Sequence, residues 1–433
     1  MLKLTKTLLE AEMKKVKLGI IGLGGRGAAY GLTDGSIGLL GNILGNSDNV
    51  IVTALCDIRK ERVEAAAKIV TSKGHPMPFC STDYNETLAS DVDAVIVSTS
   101  WDAHVEIALA AMRKGVTVAI EVGGAHGLEE CWQLVDCYEE TKTPFMFLEN
   151  CCYNRDELLA TSLVRNGVLG NISYCQGYYA HDVREEIAGG IDTGHYRLKE
   201  YMEHNCENYP THELGPIAKI LKITAGNRFV KLVSMSSKAQ GMHEYIMSKP
   251  EYRDRLGDVV FKQGDVTTTM IQCENGETVF LKLDTTLPRL YERGVTVSGT
   301  GGYYNQTLKL VVTDELARSL ESNPKPATDI YFNQKEYEED YQVDDWKKIT
   351  PEQIKAGHGG MDFIMLKHFI KCVAENKPMP IDVYEAVSLM AVTALSEKSI
   401  AEGSVPVEFP DFTRGKYKTR ESVDVIDLPK VNK

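Results

Sequence analysis

The first third of the chain alternates between short apolar runs and longer segments in which apolar residues recur with helical spacing. The apolar runs lack a polar face, which is typical of strands buried on both sides. Such strands separated by helices predict a parallel sheet with helices on both faces. The predicted strands are residues 17–21, 50–55, 93–99, 116–121 and 144–148, and the predicted helices are residues 59–70, 104–114 and 128–141.

Beyond residue 150 the pattern changes to strands joined by turns such as Asn275-Gly276, which is typical of a hairpin. This part predicts a mostly antiparallel sheet with one packed and one free face. Its predicted strands are residues 171–181, 229–236, 266–273, 278–284 and 293–298, and helical spacing returns at 357–376 and 383–402. The acidic run at residues 336–341 is interpreted as a solvated loop.

These patterns predict an N-terminal extension at residues 1–15, an α/β domain with a doubly wound parallel sheet at residues 16–149, and an α+β domain with an open, mostly antiparallel sheet at residues 150–433. The extension is expected to form an amphipathic helix, and it lacks the apolar core of a signal peptide, which favours a cytoplasmic protein. The free sheet face leads us to expect a homo-oligomer.

The composition of the chain argues against several classes of binding partner. The 433 residues carry a net charge of −13, which argues against nucleic acids and anionic membranes as partners. No apolar run reaches the length of a membrane span. The ten cysteines form no Cys-x-x-Cys pair and no cluster with zinc spacing, so we expect reduced, mostly buried thiols and no metal site.

The first predicted strand runs into the pattern Gly-x-Gly-x-x-Gly at Gly22, Gly24 and Gly27, and Ala28 is expected to open a helix. This pattern gives a dinucleotide a tight turn, a close backbone approach and close helix packing. Asp57 ends the second strand, where a carboxylate accepts hydrogen bonds from ribose hydroxyls and repels a 2′-phosphate. NAD is therefore favoured over NADP, although Arg59 leaves a 2′-phosphate contact open.

Polar residues follow the other predicted strands as well. Thr99, Glu121 and the pair Glu149-Asn150 stand where three of these strands end, and the carboxyl ends of parallel strands meet at one edge of a sheet. The sequence therefore predicts a Rossmann-type cofactor site at that edge.

Taken in order, the glycine turn, Asp57, the Thr-x-x-x-x-His pattern from Thr99 to His104, and Glu121 resemble the Gfo/Idh/MocA oxidoreductase superfamily. Most members carry Glu-Lys-Pro where this chain has Glu121-Val122-Gly123, and the lysine serves dehydrogenase chemistry. Its replacement by Val122 argues against a plain sugar or cyclitol dehydrogenase, which stays the alternative function.

Further blocks resemble glycoside hydrolase family 109, whose members use NAD to cleave N-acetylhexosaminides, chiefly N-acetylgalactosaminides. The most specific blocks are Tyr209-Pro210-Thr211-His212 and Gly357-His358-Gly359-Gly360. Two features depart from the family: Ala356 replaces a glycine, and the twin-arginine signal that many members carry is not seen in these residues. A non-catalytic regulator that binds NAD or a sugar remains a third reading.

The resemblance assigns two sets of residues. Its cofactor contacts, together with the glycines and Thr99 from the residue pattern, are Gly22, Gly24, Arg26, Gly27, Asp57, Thr99, Trp101, His104, Glu121, Val122 and Asn150. Its sugar contacts, together with His181 from the shared strand face and Thr211 from the second block, are Tyr179, His181, Arg197, Tyr209, Thr211, His212 and Tyr291.

Three residues are candidates for catalysis. His212 suits a general base near a helix N-terminus, Tyr179 is the alternative base, and His358 between glycines suits an acid at the leaving oxygen. Each has a structural interpretation as well: a capping histidine, a core tyrosine and a flexible loop. Arg197 and Tyr291 also have structural interpretations. Arg197 is equally consistent with a surface ion pair, and Tyr291 with a loop aromatic that covers the sheet edge.

Overall fold

The computed structural model describes residues 15–31, 37–46, 48–123 and 125–431. The extension predicted at residues 1–15 lies outside these residues, apart from Lys15. Contact between residues divides the chain into two compact units, each described below by itself.

The first unit contains a six-stranded sheet in the order β3-β2-β1-β4-β5-β6. Every neighbouring pair is parallel, so the predicted doubly wound sheet is confirmed. The inner strand β4 is apolar and buried throughout, as is typical of a strand covered on both faces. The strands are β1 (Val16–Ile21), β2 (Val50–Cys56), β3 (Phe79–Ser81), β4 (Ala94–Val97), β5 (Thr117–Ile120) and β6 (Phe145–Phe147).

The second unit contains an eight-stranded sheet in the order β13-β12-β11-β7-β10-β9-β8-β14. The central β7–β10 pair is parallel, and the other neighbouring strands of this order pair antiparallel, as predicted. Burial alternates along β10, which leaves one face packed. The strands are β7 (Ile172–Ala180), β8 (Phe229–Ser236), β9 (Val266–Cys273), β10 (Thr278–Asp284), β11 (Thr296–Gly299), β12 (Gly302–Asn305), β13 (Leu310–Thr313) and β14 (Val407–Glu408).

Helices fill most of the connections. In chain order they are α1 (Gly25–Ala28), α2 (Gly38–Leu44), α3 (Lys60–Ser72), α4 (Tyr84–Ala89), α5 (Trp101–Arg113), α6 (Leu128–Thr141), α7 (Arg155–Arg165), α8 (Arg184–Thr193), α9 (Tyr196–Glu203), α10 (Thr211–Ile220), α11 (Gly241–Ser248), α12 (Pro250–Leu256), α13 (Asp314–Ser322), α14 (Glu338–Tyr341), α15 (Asp344–Lys348), α16 (Pro351–Lys355), α17 (Met361–Glu375) and α18 (Val383–Ala401).

Two local predictions were wrong. The helix after the glycine turn does not open at Ala28; α1 ends there, because Ala29 adopts a left-handed conformation with φ 56°. The acidic run at residues 336–341 is not a loop throughout, since Glu338–Tyr341 forms α14. Burial of Tyr341 supplies the apolar anchor that stabilises this short turn.

The segment Lys348–Val383 packs in the first unit, although the sequence analysis assigned it to the second domain. The reason lies in specific hydrogen bonds. Phe147 on the edge strand β6 donates its N–H to the carbonyl of Ile381 at 2.9 Å. The Asn42 side chain donates to the carbonyl of Ala356 at 2.5 Å. The domain boundaries read from the sequence stay a prediction. The compact units differ from them by this segment and by Ala125–Trp132, which belongs to the second unit.

All ten cysteines are free thiols, eight of them buried, as expected from their spacing. Within the described ranges, no helix is both long and apolar enough to cross a bilayer.

Candidate active site

The glycine turn of the first unit has the geometry that a dinucleotide needs. Gly22 follows β1 with φ 94°, and a Cβ there would lie 2.5 Å from the backbone of Ser98. A Cβ on Gly27 would lie 2.0 Å from the Gly22 carbonyl oxygen. Both positions therefore exclude any side chain, so the turn stays open to a ligand and α1 stays close to the sheet.

Asp57 stands directly after β2 and is almost fully buried. Its Oδ2 accepts the N–H of Leu23, inside the glycine turn, at 2.8 Å. Its Oδ1 accepts the N–H of Arg59 at 2.9 Å. The predicted ribose acceptor is therefore also a clamp that fixes the glycine turn against the end of β2.

The residues that follow β4 and β5 lie at the same edge of the parallel sheet as the glycine turn and Asp57. His104 is buried in α5, and its Nε2 lies 3.1 Å from the Thr99 carbonyl oxygen, which fixes the loop after β4. Trp101 begins α5, and a Cβ on Gly123 would lie 2.2 Å from its indole ring. Gly123 has φ 83°, so neither proline nor another side chain fits there. The absence of proline at residue 123 thus has a packing cause.

Arg26, in α1, links the end of β5 to the start of α17. It donates from Nε to Oε1 of Glu121 at 2.9 Å. Its Nη1 and Nη2 donate to the two carboxylate oxygens of Asp362 at 2.5 and 2.9 Å. Burial would raise the pKa of Asp362, but the Arg26 charge and hydrogen bonds from His358 and Arg26 hold it well below its usual range.

His358 lies in this first unit beside Asp362. Its Nδ1 is 2.8 Å from Oδ2 of Asp362, and the side chain is 54% exposed. The backbone of His358 has φ 44°, between glycines that also adopt positive φ. The residue is therefore held by one ring nitrogen while the rest of the ring faces solvent.

The predicted sugar residues of the second unit gather into one group, called the aromatic cluster. Tyr179 is its centre: its ring stacks on Tyr209 at 4.5 Å and meets His212 and Tyr291 edge-on at 5.7 and 6.3 Å. His181, two residues along, lies 5.1 Å from Tyr291. Aromatic faces with polar rims suit a sugar ring, which presents C–H faces and hydroxyl groups.

Arg197, on α9, closes one side of the aromatic cluster and is 5% exposed, so it is not a surface ion pair. Its guanidinium lies 4.7 Å from the ring centre of Tyr209, and its Nε donates to Oε1 of Glu186 at 2.9 Å. Its buried Nη1 has no hydrogen-bond partner among the residues that the structure describes. A buried guanidinium nitrogen of this kind is a ready donor to a ligand oxygen.

Thr211 and His212 open α10, which confirms that His212 lies at a helix N-terminus. The Nδ1 of His212 lies 2.8 Å from Oε1 of Glu149, whose side chain is fully buried. Burial would raise the pKa of Glu149, but the charge of His212 and hydrogen bonds to the carboxylate bring it below its ordinary value. A carboxylate held at Nδ1 leaves Nε2 as the nitrogen that exchanges protons with a substrate.

The other titratable groups of the aromatic cluster are less suited to act as a base. Burial raises the pKa of Tyr179 to about 12, despite the nearby Arg197 charge. Burial, followed by the Arg197 charge, lowers the pKa of His181. The phenol is therefore a hydrogen-bond donor near neutral pH, and the His181 ring binds a proton less readily than an ordinary histidine.

Glu149 also lies close to two other side chains of kinds that bind metal ions. Oxygen, sulfur and nitrogen atoms of Glu149, Cys151 and His212 lie within 4.8 Å of one another. Metals bind the thiolate, however, and burial raises the pKa of the Cys151 thiol well above its ordinary value. The group favours a hydrogen-bonded dyad of Glu149 and His212 over a metal centre.

The structure thus brings the predicted residues into two groups. The first unit holds the predicted cofactor residues except Asn150, and also His358; the second unit holds the aromatic cluster, Arg197, Thr211 and Asn150. Sequence reasoning placed Glu149 beside Asn150 at the edge of the parallel sheet but gave it no role among the site residues. That position, two residues after β6, was the signal that could have assigned one.

Two family models match successive parts of the chain. Residues 16–148 match the model of the oxidoreductase family with an NAD-binding Rossmann fold. Residues 153–419 match the model of the glycosyl hydrolase 109 C-terminal domain. The cofactor of the first unit is therefore NAD, and the glycine turn and Asp57 fit it.

Curated relatives span nearly the whole chain. A glycosyl hydrolase family 109 protein of Stenotrophomonas maltophilia is 34% identical over 98% of this chain and 95% of its own length. An alpha-N-acetylgalactosaminidase of Tannerella forsythia is 35% identical over 94% of this chain and 88% of its own length.

Solved structures support the fold. A levoglucosan dehydrogenase solved with NADH and levoglucosan superposes with a TM-score of 0.66 at 18% identity, covering 92% of this chain and 100% of that one. A myo-inositol 2-dehydrogenase of Lactobacillus plantarum gives 0.61 at 15% identity, covering 92% and 100%. With an NAD-binding Rossmann domain and a family-specific C-terminal domain, this chain is an enzyme that belongs to glycosyl hydrolase family 109.

Proposed function

We propose that this enzyme cleaves N-acetylhexosaminides, with N-acetylgalactosaminides as the favoured substrates, and that it uses NAD without consuming it. The observation that carries the proposal is the Glu149–His212 dyad inside an aromatic cluster that also contains a buried arginine. A relative named an alpha-N-acetylgalactosaminidase supports the choice of sugar.

Bound NAD supplies reversible oxidation of the sugar at C3, which makes the proton at C2 acidic enough for a side chain to remove. The residues that would hold NAD are those of the glycine turn, together with Asp57, Thr99, Trp101, His104, Glu121, Val122 and Asn150. Val122 stands where dehydrogenases of the superfamily carry lysine, which speaks against net alcohol oxidation as the main activity.

The second unit supplies the proton chemistry. Nε2 of His212 takes the C2 proton, and the Glu149 carboxylate stabilises the imidazolium that forms. Loss of that proton lets the bond from C1 to the leaving oxygen break; the leaving oxygen takes up one proton, and the water that adds at C1 gives one up. Protonation of C2 by His212 then gives the 3-keto sugar, and the sugar is restored when the oxidation at C3 is reversed, which the bound cofactor would supply.

The remaining residues bind the sugar or protonate the leaving oxygen. Nη1 of Arg197 donates to a sugar or acetamide oxygen, since it has no other partner among the described residues. Tyr179, Tyr209 and Tyr291 pack against the sugar ring, while His181 and Thr211 contact its hydroxyl groups. His358, held at Nδ1 by Asp362, gives a proton to the leaving oxygen.

The test is turnover of nitrophenyl N-acetylgalactosaminides in heavy water. We expect release of nitrophenol and no accumulation of NADH. We also expect deuterium at C2 of the sugar product, because Nε2 of His212 exchanges its proton with the solvent before it protonates C2, whereas a carboxylate-pair glycosidase breaks no bond at C2. Accumulation of NADH with an intact glycosidic bond would instead identify a dehydrogenase. Cleavage without C2 exchange, unaffected by NAD removal, would refute the proposed mechanism.

A further inference from the structure

The Arg197 guanidinium is held in the aromatic cluster by the carboxylate of Glu186, in the first turn of α8. Its Nε donates to Oε1 of Glu186 at 2.9 Å, and its Nη2 donates to the Tyr179 hydroxyl at 3.4 Å. Among the residues that the structure describes, no other carboxylate forms an ion pair with Arg197. Glu186 is therefore the group that balances this positive charge.

The other neighbours of the guanidinium are aromatic. Its central carbon lies 4.7 Å from the ring centre of Tyr209, 5.6 Å from that of Tyr196 and 5.9 Å from that of Tyr179. Arginine stays charged in a folded protein, and a buried charge needs a counter-charge. Since the three rings carry no charge near neutral pH, Glu186 sets the net charge of this part of the aromatic cluster.

Glu186 is fixed in turn by His195, the N-cap residue of α9. Nε2 of His195 lies 3.1 Å from Oε1 of Glu186, while its Nδ1 accepts the backbone N–H of Arg197 at 3.4 Å. Because Nδ1 is an acceptor, the neutral ring carries its proton on Nε2 and donates it to the carboxylate. Burial would raise the pKa of Glu186, but the Arg197 charge brings it below its ordinary value, so Glu186 is ionised near neutral pH.

We propose that Glu186 determines the charge preference of the aromatic cluster: by neutralising Arg197, it restricts the cluster to uncharged sugars. A neutral sugar offers the buried Nη1 of Arg197 an amide or hydroxyl oxygen and leaves the ion pair intact. An acidic sugar, such as a uronic acid, would bring a second negative charge close to Glu186, and like charges disfavour each other. The inference rests on the proposed function in one respect, that the aromatic cluster binds a sugar.

The experiment measures the binding of two monosaccharides by ligand-observed NMR, which needs no turnover. N-acetylgalactosamine is the neutral probe and galacturonate is the acidic one, each titrated into the NAD-loaded enzyme at constant ionic strength. Wild type should bind N-acetylgalactosamine and discriminate against galacturonate. Glu186→Gln keeps the size of the side chain but removes its charge, so the Kd for galacturonate should fall at least about tenfold, the size expected for a hydrogen bond to a charged group.

Two further variants assign the effect to the ion pair. Glu186→Gln/Arg197→Gln should lose the gain in affinity for galacturonate, because no unpaired guanidinium remains. Glu185→Gln is the matched control, since it removes the same charge one residue earlier on α8, where the carboxylate accepts the Tyr252 hydroxyl at 2.7 Å. Its affinities for both sugars should equal those of wild type.

Three results would overturn the proposal: equal affinity of wild type for the two sugars, no gain in affinity for galacturonate in folded Glu186→Gln, or an equal gain in Glu185→Gln. If Glu186→Gln melts well below wild type, Glu186→Ser leaves room for water beside the guanidinium and provides the same comparison. Wild type that discriminates as expected but cleaves no nitrophenyl glycoside would refute the proposed reaction alone. Wild type that binds neither sugar would refute both.

Discussion

Oε1 of Glu149 accepts the backbone N–H of Cys151 at 3.0 Å and lies 2.8 Å from Nδ1 of His212. The carboxylate is thus fixed by the backbone of its own turn, and it in turn fixes the imidazole. A histidine held in this way presents a defined nitrogen to the substrate and is stabilised when it takes a proton. The two residues are separated by 63 positions in the sequence.

Replacing His212 with alanine should lower turnover by about 10²–10⁴-fold, the usual contribution of general base catalysis. The NAD content of the purified variant should stay normal, because His212 belongs to the second unit. Release of nitrophenol and chromatographic analysis of bound NAD measure the two effects. His204→Ala is the matched control, since His204 pairs with Glu397 outside the aromatic cluster. Turnover near that of wild type would move the base role to Tyr179.

Glu149→Gln tests whether the Glu149 carboxylate positions the His212 ring. The amide keeps the size of the side chain but loses the charge, so turnover should fall roughly 10- to 100-fold, because hydrogen bonds to charged groups contribute about 1.5–3 kcal/mol. The loss should appear in kcat, and the acid limb of the pH profile should shift, while KM changes little. A change in KM alone, with an unaltered pH profile, would indicate a structural role. Glu185→Gln, on α8, is the control: the same substitution outside the Glu149–His212 dyad should leave kcat and the pH profile unchanged.

Asp57→Ala should lower both bound NAD and thermal stability. The ribose hydroxyls lose an acceptor, and Leu23 and Arg59 lose the carboxylate that accepts their N–H groups. An unmade hydrogen bond to a charged group costs about 1–3 kcal/mol. Bound NAD and the melting temperature are compared with those of Arg59→Ala, which keeps the backbone contact. Full NAD content in Asp57→Ala would place the ribose contact elsewhere.

Glu207, fully buried in the second unit, should make stability fall with rising pH. Burial raises its pKa to about 8, whereas glutamate in an unfolded chain titrates near about 4.3. The folded protein therefore keeps a proton that the unfolded chain releases, and the free energy of unfolding decreases between these two pH values. Glu207→Gln should flatten the change in melting temperature between pH 5 and 8, whereas the exposed Glu203→Gln should not. An unchanged slope in Glu207→Gln would contradict the assignment.

Treatment with a chelator should leave turnover unchanged. Glu149 and His212 already bond to each other, and the Cys151 thiol stays protonated because burial raises its pKa. The measurement is nitrophenol release before and after dialysis against the chelator, with and without added zinc. Loss of activity that zinc restores would show that the three side chains bind a metal after all.

The assembly expected from the free sheet face remains a prediction. Met235 on β8 and Met270 on β9 are partly exposed, at 62% and 38%. Light scattering measures the state directly, and a monomeric mass would remove the expectation.

The sequence by itself determined both sheets, because the relevant signals are local. Continuous apolar runs give a buried parallel sheet, and alternating runs give a sheet with one packed face. The glycine turn and Asp57 could also be placed, since consecutive strands and turns fix their positions. The position of His212 at a helix N-terminus could also be predicted, because Pro210 and the apolar residues after Thr211 mark the start of α10.

Tertiary structure alone decided which distant side chains meet. Glu149 reaches His212, Arg62 rather than Arg59 faces Asp57, and Asp362 comes back to bind Arg26 across 336 positions. It also decided that α1 ends at Ala28 and that Lys348–Val383 packs in the first unit. Periodicity reports which face of an element is buried, but pairing of charges depends on distances between elements, and these are set only when the elements pack together.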